Sequence, residues 1–109
     1  MQETLTKYVT NHPIELIMTE WALHENIEIT GMKRALTVAE AAGKFITSGV
    51  SKANYWPLRC GGIHNKKGLI DVNDGSKHAN YYVMQQMANN IGNTVVPSFY
   101  SSNSGLYIL

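Results

Sequence analysis

Glu20 closes the run Ile14-Glu15-Leu16-Ile17-Met18-Thr19-Glu20 and is followed at once by Trp21. The run is mostly apolar, as a parallel strand covered on both faces is. Alternation along such a strand puts Ile14, Leu16, Met18 and Glu20 on one face, with the carboxylate at its C-terminal end. Parallel α/β barrels hold their catalytic groups there. A carboxylate beside an aromatic fits glycosidic cleavage, whose oxocarbenium-like state a carboxylate can trap covalently. The plainer alternative is a solvated glutamate at a strand end. A second aromatic, Trp56 in Lys52-Ala53-Asn54-Tyr55-Trp56-Pro57-Leu58, shares its face with Asn54 by the same alternation.

Other chemistries find no pattern. His12, His24, His64 and His78 are spread without ligand spacing, and Cys60 is the one cysteine, so neither a zinc set nor an internal disulfide is expected. Gly61-Gly62 lacks the spacing and lysine of a phosphate loop. Cys60 has no recognisable His/Asn partner arrangement for a nucleophile. With a formal net charge of +1 and no basic cluster larger than Lys66-Lys67, no nucleic-acid partner is expected. No apolar run approaches the roughly 20 residues that span a membrane. The first residues lack the apolar core of a signal peptide, which says nothing about compartment if the chain is part of a longer protein.

The elements that must position these residues follow from periodicity. Residues 2–10 read as the end of a helix and 14–20 as a strand. Residues 21–30 form a loop. Residues 31–48 form a helix with Met32, Ala35, Leu36, Ala39, Ala42, Phe45 and Ile46 at helical steps, Thr30 as N-cap and Gly49 as stop. A strand over 52–58, a loop over 59–67, a short extended segment over 68–72 and an Asn73-Asp74-Gly75-Ser76 turn come next. Residues 77–91 form a second helix with Tyr81, Met84, Met87, Ala88 and Ile91 as its stripe and Gly92 at C′; residues 94–109 read as a β-hairpin. Strand–helix–strand implies a right-handed crossover and a parallel sheet. Two strands do not cover themselves, so either copies pair or the rest of the sheet lies elsewhere; the second is favoured.

The stretch Ile14-Glu15-Leu16-Ile17-Met18-Thr19-Glu20-Trp21-Ala22-Leu23 resembles the seventh strand of the retaining (β/α)8 glycosidases of the clan that includes α-L-arabinofuranosidases, β-xylosidases, β-agarases and cellulases. Residues 35–50 resemble helix seven and residues 52–58 strand eight. Residues 68–96, with a GL-x-D segment leading into a Tyr-Tyr helix, resemble helix eight, and the last residues resemble entry into a β-sandwich. The resemblance covers about residues 14–109 and its motifs keep their order. It implies that Glu20 is the nucleophile and that no metal or organic cofactor is needed. It also implies that Trp56 forms the floor under the sugar, because a sugar's C–H face packs on a flat ring; a barrel-core tryptophan is the other reading. Trp21 lines the same pocket or anchors its loop. Asn54 and His24 are further substrate contacts, His24 and His64 lying in loops expected on the face of Glu20, although a plain surface histidine is the simpler reading.

One departure is large. The clan carries its general acid/base at the end of strand four, after an asparagine, and no Asn-Glu dipeptide occurs here. Glu25 and Glu28 follow in the loop, but nothing in the sequence brings either to the roughly 5–5.5 Å that a retaining pair requires. The expectation is thus an α/β chain: residues 1–92 as the last βα units of a TIM barrel and 93–109 as the start of a β-domain. Its partners would be a carbohydrate substrate and a missing N-terminal barrel portion. The alternative is a small non-catalytic α/β module binding carbohydrate or protein through Trp21, Tyr55 and Trp56.

Overall fold

The computed structural model describes Lys7, residues 14–24 and residues 31–96. The regular elements among them are strand β1 (Ile17–Trp21), helix α1 (Gly31–Thr47), strand β2 (Lys52–Tyr55), a 3₁₀ turn (Gly62–Lys67) and helix α2 (Ala79–Asn90). The expected helix over 2–10 (Lys7, in helical conformation, aside), Thr30, Glu25, Glu28 and the hairpin beyond residue 96 lie outside the described residues.

The two strands pair in parallel, with Ile17 opposite Lys52, Met18 opposite Ala53 and Trp21 opposite Tyr55. The connection runs through α1, as the strand–helix–strand order requires. The ladder is extended at both ends: Ser51 N–H donates to the Leu16 carbonyl at 2.8 Å, and Trp56 N–H to the Trp21 carbonyl at 2.9 Å. Two residues of β1, Thr19 and Glu20, are set against one of β2, Asn54, between the Met18–Ala53 and Trp21–Tyr55 pairs, so a bulge interrupts the strand. Alternation counted from Ile14 is therefore interrupted before Trp21, within the stretch that holds Glu20. Among the described residues β1 is also not covered on both faces: Ile17 and Met18 are 46% and 37% exposed, and Ile14 just before the strand 41%.

Helix α1 ends one residue before the expected boundary, and its stop has a clear cause. Gly49 takes φ +78°, a left-handed conformation that costs glycine little. Val50 N–H then reaches the Phe45 carbonyl at 3.1 Å and Gly49 N–H the Ile46 carbonyl at 3.3 Å, the paired bonds of a Schellman cap. Gly92, expected in the same role after α2, is not left-handed; there Ile91 N–H closes on the Met87 carbonyl. α2 begins at Ala79, two residues later than expected, because Lys77 instead bridges Ile70 and His78 N–H is spent on the Leu69 carbonyl. β2 stops at Tyr55 because Pro57, behind a cis Trp56–Pro57 bond, has no N–H to give.

The two helices pack on each other. Ala35 and Val38 of α1 are fully buried, as is Asn80 of α2 at 2% exposure; Arg34 is buried too. The apolar stripe expected on α1 divides: Ala35 and, in part, Phe45 turn inward, whereas Met32 and Leu36 are 67% and 56% exposed. On α2 the stripe holds at Tyr81, Met84 and Met87, and fails at Ala88 and Ile91, which are exposed.

Candidate active site

The Trp21–Tyr55 pair fixes the faces at the C-terminal end of the sheet. The Trp21 ring meets Phe45 of α1 and Tyr55 of β2 edge-to-face, with ring centroids 5.0 Å apart in each case. Both side chains thus stand on the helix-covered face. Asn54 stands, by alternation from Tyr55, on the opposite face; Glu20 lies in the bulged stretch between Met18 and Trp21, and both are exposed. In the ladder, Thr19 and Glu20 together are set against Asn54, between the Met18–Ala53 and Trp21–Tyr55 pairs. Trp56 follows directly, its backbone bonded to the Trp21 carbonyl and its side chain 48% exposed. His24 is exposed in the segment after β1. Trp21 is placed apart from the other four: its ring is wedged within the fold, with Nε1 buried and without a hydrogen-bond partner.

The segment from Trp56 to His78 is built more tightly than a polar, glycine-containing loop leads one to expect. Asp71 is its centre. Asp71 Oδ1 accepts from Asn73 N–H at 2.7 Å, and Oδ2 accepts from Asn65 Nδ2 at 2.7 Å and lies 3.3 Å from His78 Nε2. Asn65 in turn accepts from Val72 N–H at 3.0 Å, and His78 Nδ1 donates to the Gly68 carbonyl at 3.0 Å. The Asn73 amide, above all, and then His78 and Asn65 hold the Asp71 carboxyl at about 2, below its ordinary value, against a smaller opposing effect of desolvation. Asp74 is lowered likewise, chiefly by Ser76 N–H. Arg59 adds a bond from Nη2 to the Val72 carbonyl at 2.9 Å. Gly68 is buried, and a Cβ there would stand 3.2 Å from the Leu58 carbonyl oxygen and 3.3 Å from those of Asn65 and Ile70.

A second network ties this loop to the sheet. Tyr55 donates from its hydroxyl to the Lys67 carbonyl at 2.8 Å, and Asn80 Nδ2 donates to Tyr55 Oη and to the Lys66 carbonyl, each at 3.3 Å. Burial pushes the Tyr55 phenol above its usual value, with Arg34 and Asn80 acting the other way, so the hydroxyl is a neutral donor. Lys67 Nζ stands 5.5 Å from the centroid of the Trp56 ring, within cation–π range.

Sequence reading did not single out Asn65, Asp71, His78, Asn80 or the Tyr55 hydroxyl in these roles. Asp71 was visible only as the last letter of the GL-x-D segment, and its Asp-x-Asn-Asp-Gly context carries the turn chemistry that places it. Asn80 had a fainter signal, a polar residue flanked by apolar ones in the first turn of a helix. Among the described residues, no group of three or more His, Cys, Asp or Glu is arranged to hold a metal ion, and no helix is long and apolar enough to cross a membrane. Comparison of the chain with family models, curated proteins and solved structures returned no match.

Proposed function

We propose that this chain supplies the C-terminal part of the active site of a retaining glycoside hydrolase barrel, with Glu20 as its nucleophile. One observation carries the reading. Glu20 is the penultimate residue of a strand that is paired in parallel with its successor, is exposed at the ladder level of Asn54, and precedes Trp21, whose carbonyl accepts from the backbone of the half-exposed Trp56. Catalytic carboxylates of barrels occupy that end of the strands. A flat, exposed ring at the same end of the sheet suits the apolar face of a sugar.

In this mechanism the Glu20 carboxylate attacks the anomeric carbon while a carboxylic acid outside this chain protonates the departing glycosidic oxygen. The glycosyl–Glu20 ester is then cleaved by water. The outer carboxylate takes the water's proton, the new C–O bond forms, and Glu20 leaves as a free carboxylate with net retention. Asn54 is placed to bond a sugar hydroxyl, and Trp56 to carry the ring; His24 lies on the loop that follows the nucleophile. The arabinofuranosidase and agarase-like group is the substrate class favoured by the Met18-Thr19-Glu20-Trp21 and Ala53–Leu58 stretches.

The binding-module alternative needs Trp21, Tyr55 and Trp56 as one surface, and the packing of Trp21 against Tyr55 and Phe45 leaves Trp56 as the exposed ring of the three. The test is to trap the longer enzyme with a 2-deoxy-2-fluoroglycoside and map the modified peptide by mass spectrometry. The label is expected on Glu20, and a label on another carboxylate refutes the assignment. The 109-residue chain alone is expected to release no nitrophenol from aryl glycosides; measurable turnover by it would overturn the division of the site.

A further inference from the structure

We infer that Tyr55 and Asn80 act as positioning residues for Trp56: their hydrogen-bonded latch sets where the rim ring stands and so how a sugar is received. The sugar in this statement rests on the glycosidase reading; the latch does not.

Trp56 is half exposed, so burial does not hold its ring. Two things bracket it instead. One is the backbone of Tyr55, its chain neighbour in β2. The other is Lys67, whose ammonium lies 5.5 Å from the ring centroid. The latch joins these two brackets. The Tyr55 hydroxyl is bonded to the carbonyl of that same Lys67 at 2.8 Å. Asn80, 2% exposed, reaches both Tyr55 Oη and the adjoining Lys66 carbonyl. Two consecutive carbonyls at the end of the 3₁₀ turn are thus gripped from β2 and from α2. A fully buried asparagine is costly unless its polar atoms are satisfied, and here its amide is spent on joining strand, turn and helix. The Asn65–Asp71–His78 clamp stiffens the far side of the same turn, so a loosened latch acts mainly at Lys66–Lys67, beside the Trp56 ring. Neither Tyr55 nor Asn80 is asked to touch the substrate.

The experiment uses the full ¹⁵N-labelled chain, whose two tryptophans give two indole N–H signals, assigned with Trp56→Phe. Tyr55→Phe removes one hydroxyl and keeps the ring that packs on Trp21; Asn80→Ala removes the amide. Both are expected to shift or broaden the Trp56 indole signal while the amide signals of α1 stay in place. A Trp56 signal unmoved in Tyr55→Phe overturns the inference, even if Asn80→Ala fails to fold. Titration with arabino- and agaro-oligosaccharides supplies the second arm. One of them is expected to move the Trp56 signal, with affinity weakened about two- to tenfold in Tyr55→Phe, the range of one lost hydrogen bond. Equal affinity in wild type and variant overturns the positioning role. A Trp56 signal that answers to the latch variants but to neither sugar supports the latch and counts against the glycosidase reading alone.

Discussion

The Tyr55–Asn80 latch is best weighed by a double-mutant cycle. Asn80→Ala removes two hydrogen bonds of 3.3 Å and the volume of a side chain that is 2% exposed. Bonds this long belong at the lower end of the net range of about 0.5–1.5 kcal/mol, and the vacated space adds to them, so a loss of about 1–3 kcal/mol is expected. Tyr55→Phe removes the 2.8 Å bond to the Lys67 carbonyl and the acceptor for Asn80, at about 1–2 kcal/mol. The Asn80–Tyr55 bond is counted in both single variants but exists once. The double variant should therefore lose about 0.5–1.5 kcal/mol less than the sum of the singles. Urea unfolding followed by circular dichroism reads this directly, since slopes of about 1–3 kcal/mol/M turn these losses into midpoint shifts of about 0.5–2 M. Additivity within about 0.3–0.5 kcal/mol, the behaviour of independent sites, would refute the coupling and with it the shared network.

Three further outcomes are expected. The Asp71 carboxyl, followed by NMR through its own carbon and the Asn73 amide, should titrate at about 2; because the folded value lies below the ordinary 3.8, its contribution to the loop is complete above about pH 4 and is lost as pH falls toward 2. A midpoint near the ordinary value would show that the clamp is not formed. In the longer enzyme, Glu20→Ala should cut kcat by about 10⁴-fold or more, as loss of a nucleophile does, with azide restoring turnover as a glycosyl azide of inverted configuration; retention in that product sinks the assignment. Gly49→Ala should destabilise by about 1–2 kcal/mol, because φ +78° brings a Cβ against the following carbonyl, and an unchanged urea midpoint would count against the Schellman cap.

What was legible in the sequence is what depends on neighbours in the chain. The period of α1 and the glycine that stops it, the parallel order of the two strands, and the turn at Asn73–Ser76 are all written in local patterns. The faces of β1 were not, because a bulge changes the count by one residue and nothing in Ile17-Met18-Thr19-Glu20-Trp21 announces it. Glu20 falls within that bulge, so its face does not follow from the alternation counted from Ile14. The loop network was hidden for another reason. Asn65, Asp71, His78 and Asn80 are distant in sequence from some of their partners, and polar residues carry no periodicity to mark which of them turn inward.

The distribution of exposed apolar side chains bears on the proposed setting of the site. Ile17 and Met18 on β1 and Met32 and Leu36 on α1 lie on elements that are otherwise well formed, and Ile14 just before β1 is exposed too. Burying such a side chain fully is worth about 1.5–3 kcal/mol, so the sequence invests in surfaces that the described residues do not cover. In the proposed barrel, a preceding strand and helix would cover the outer edge of β1 and a flank of α1. Covering them would close the unpaired edge of β1, raise stability, and bring further strand ends, with a second carboxylate among them, to the rim that Glu20 shares. In the proposed glycosidase barrel, a covering partner and the acid/base carboxylate would be supplied by one piece of chain. Co-expression with a preceding barrel portion should therefore raise stability and confer activity together, and a gain in stability without turnover would separate the fold from the chemistry.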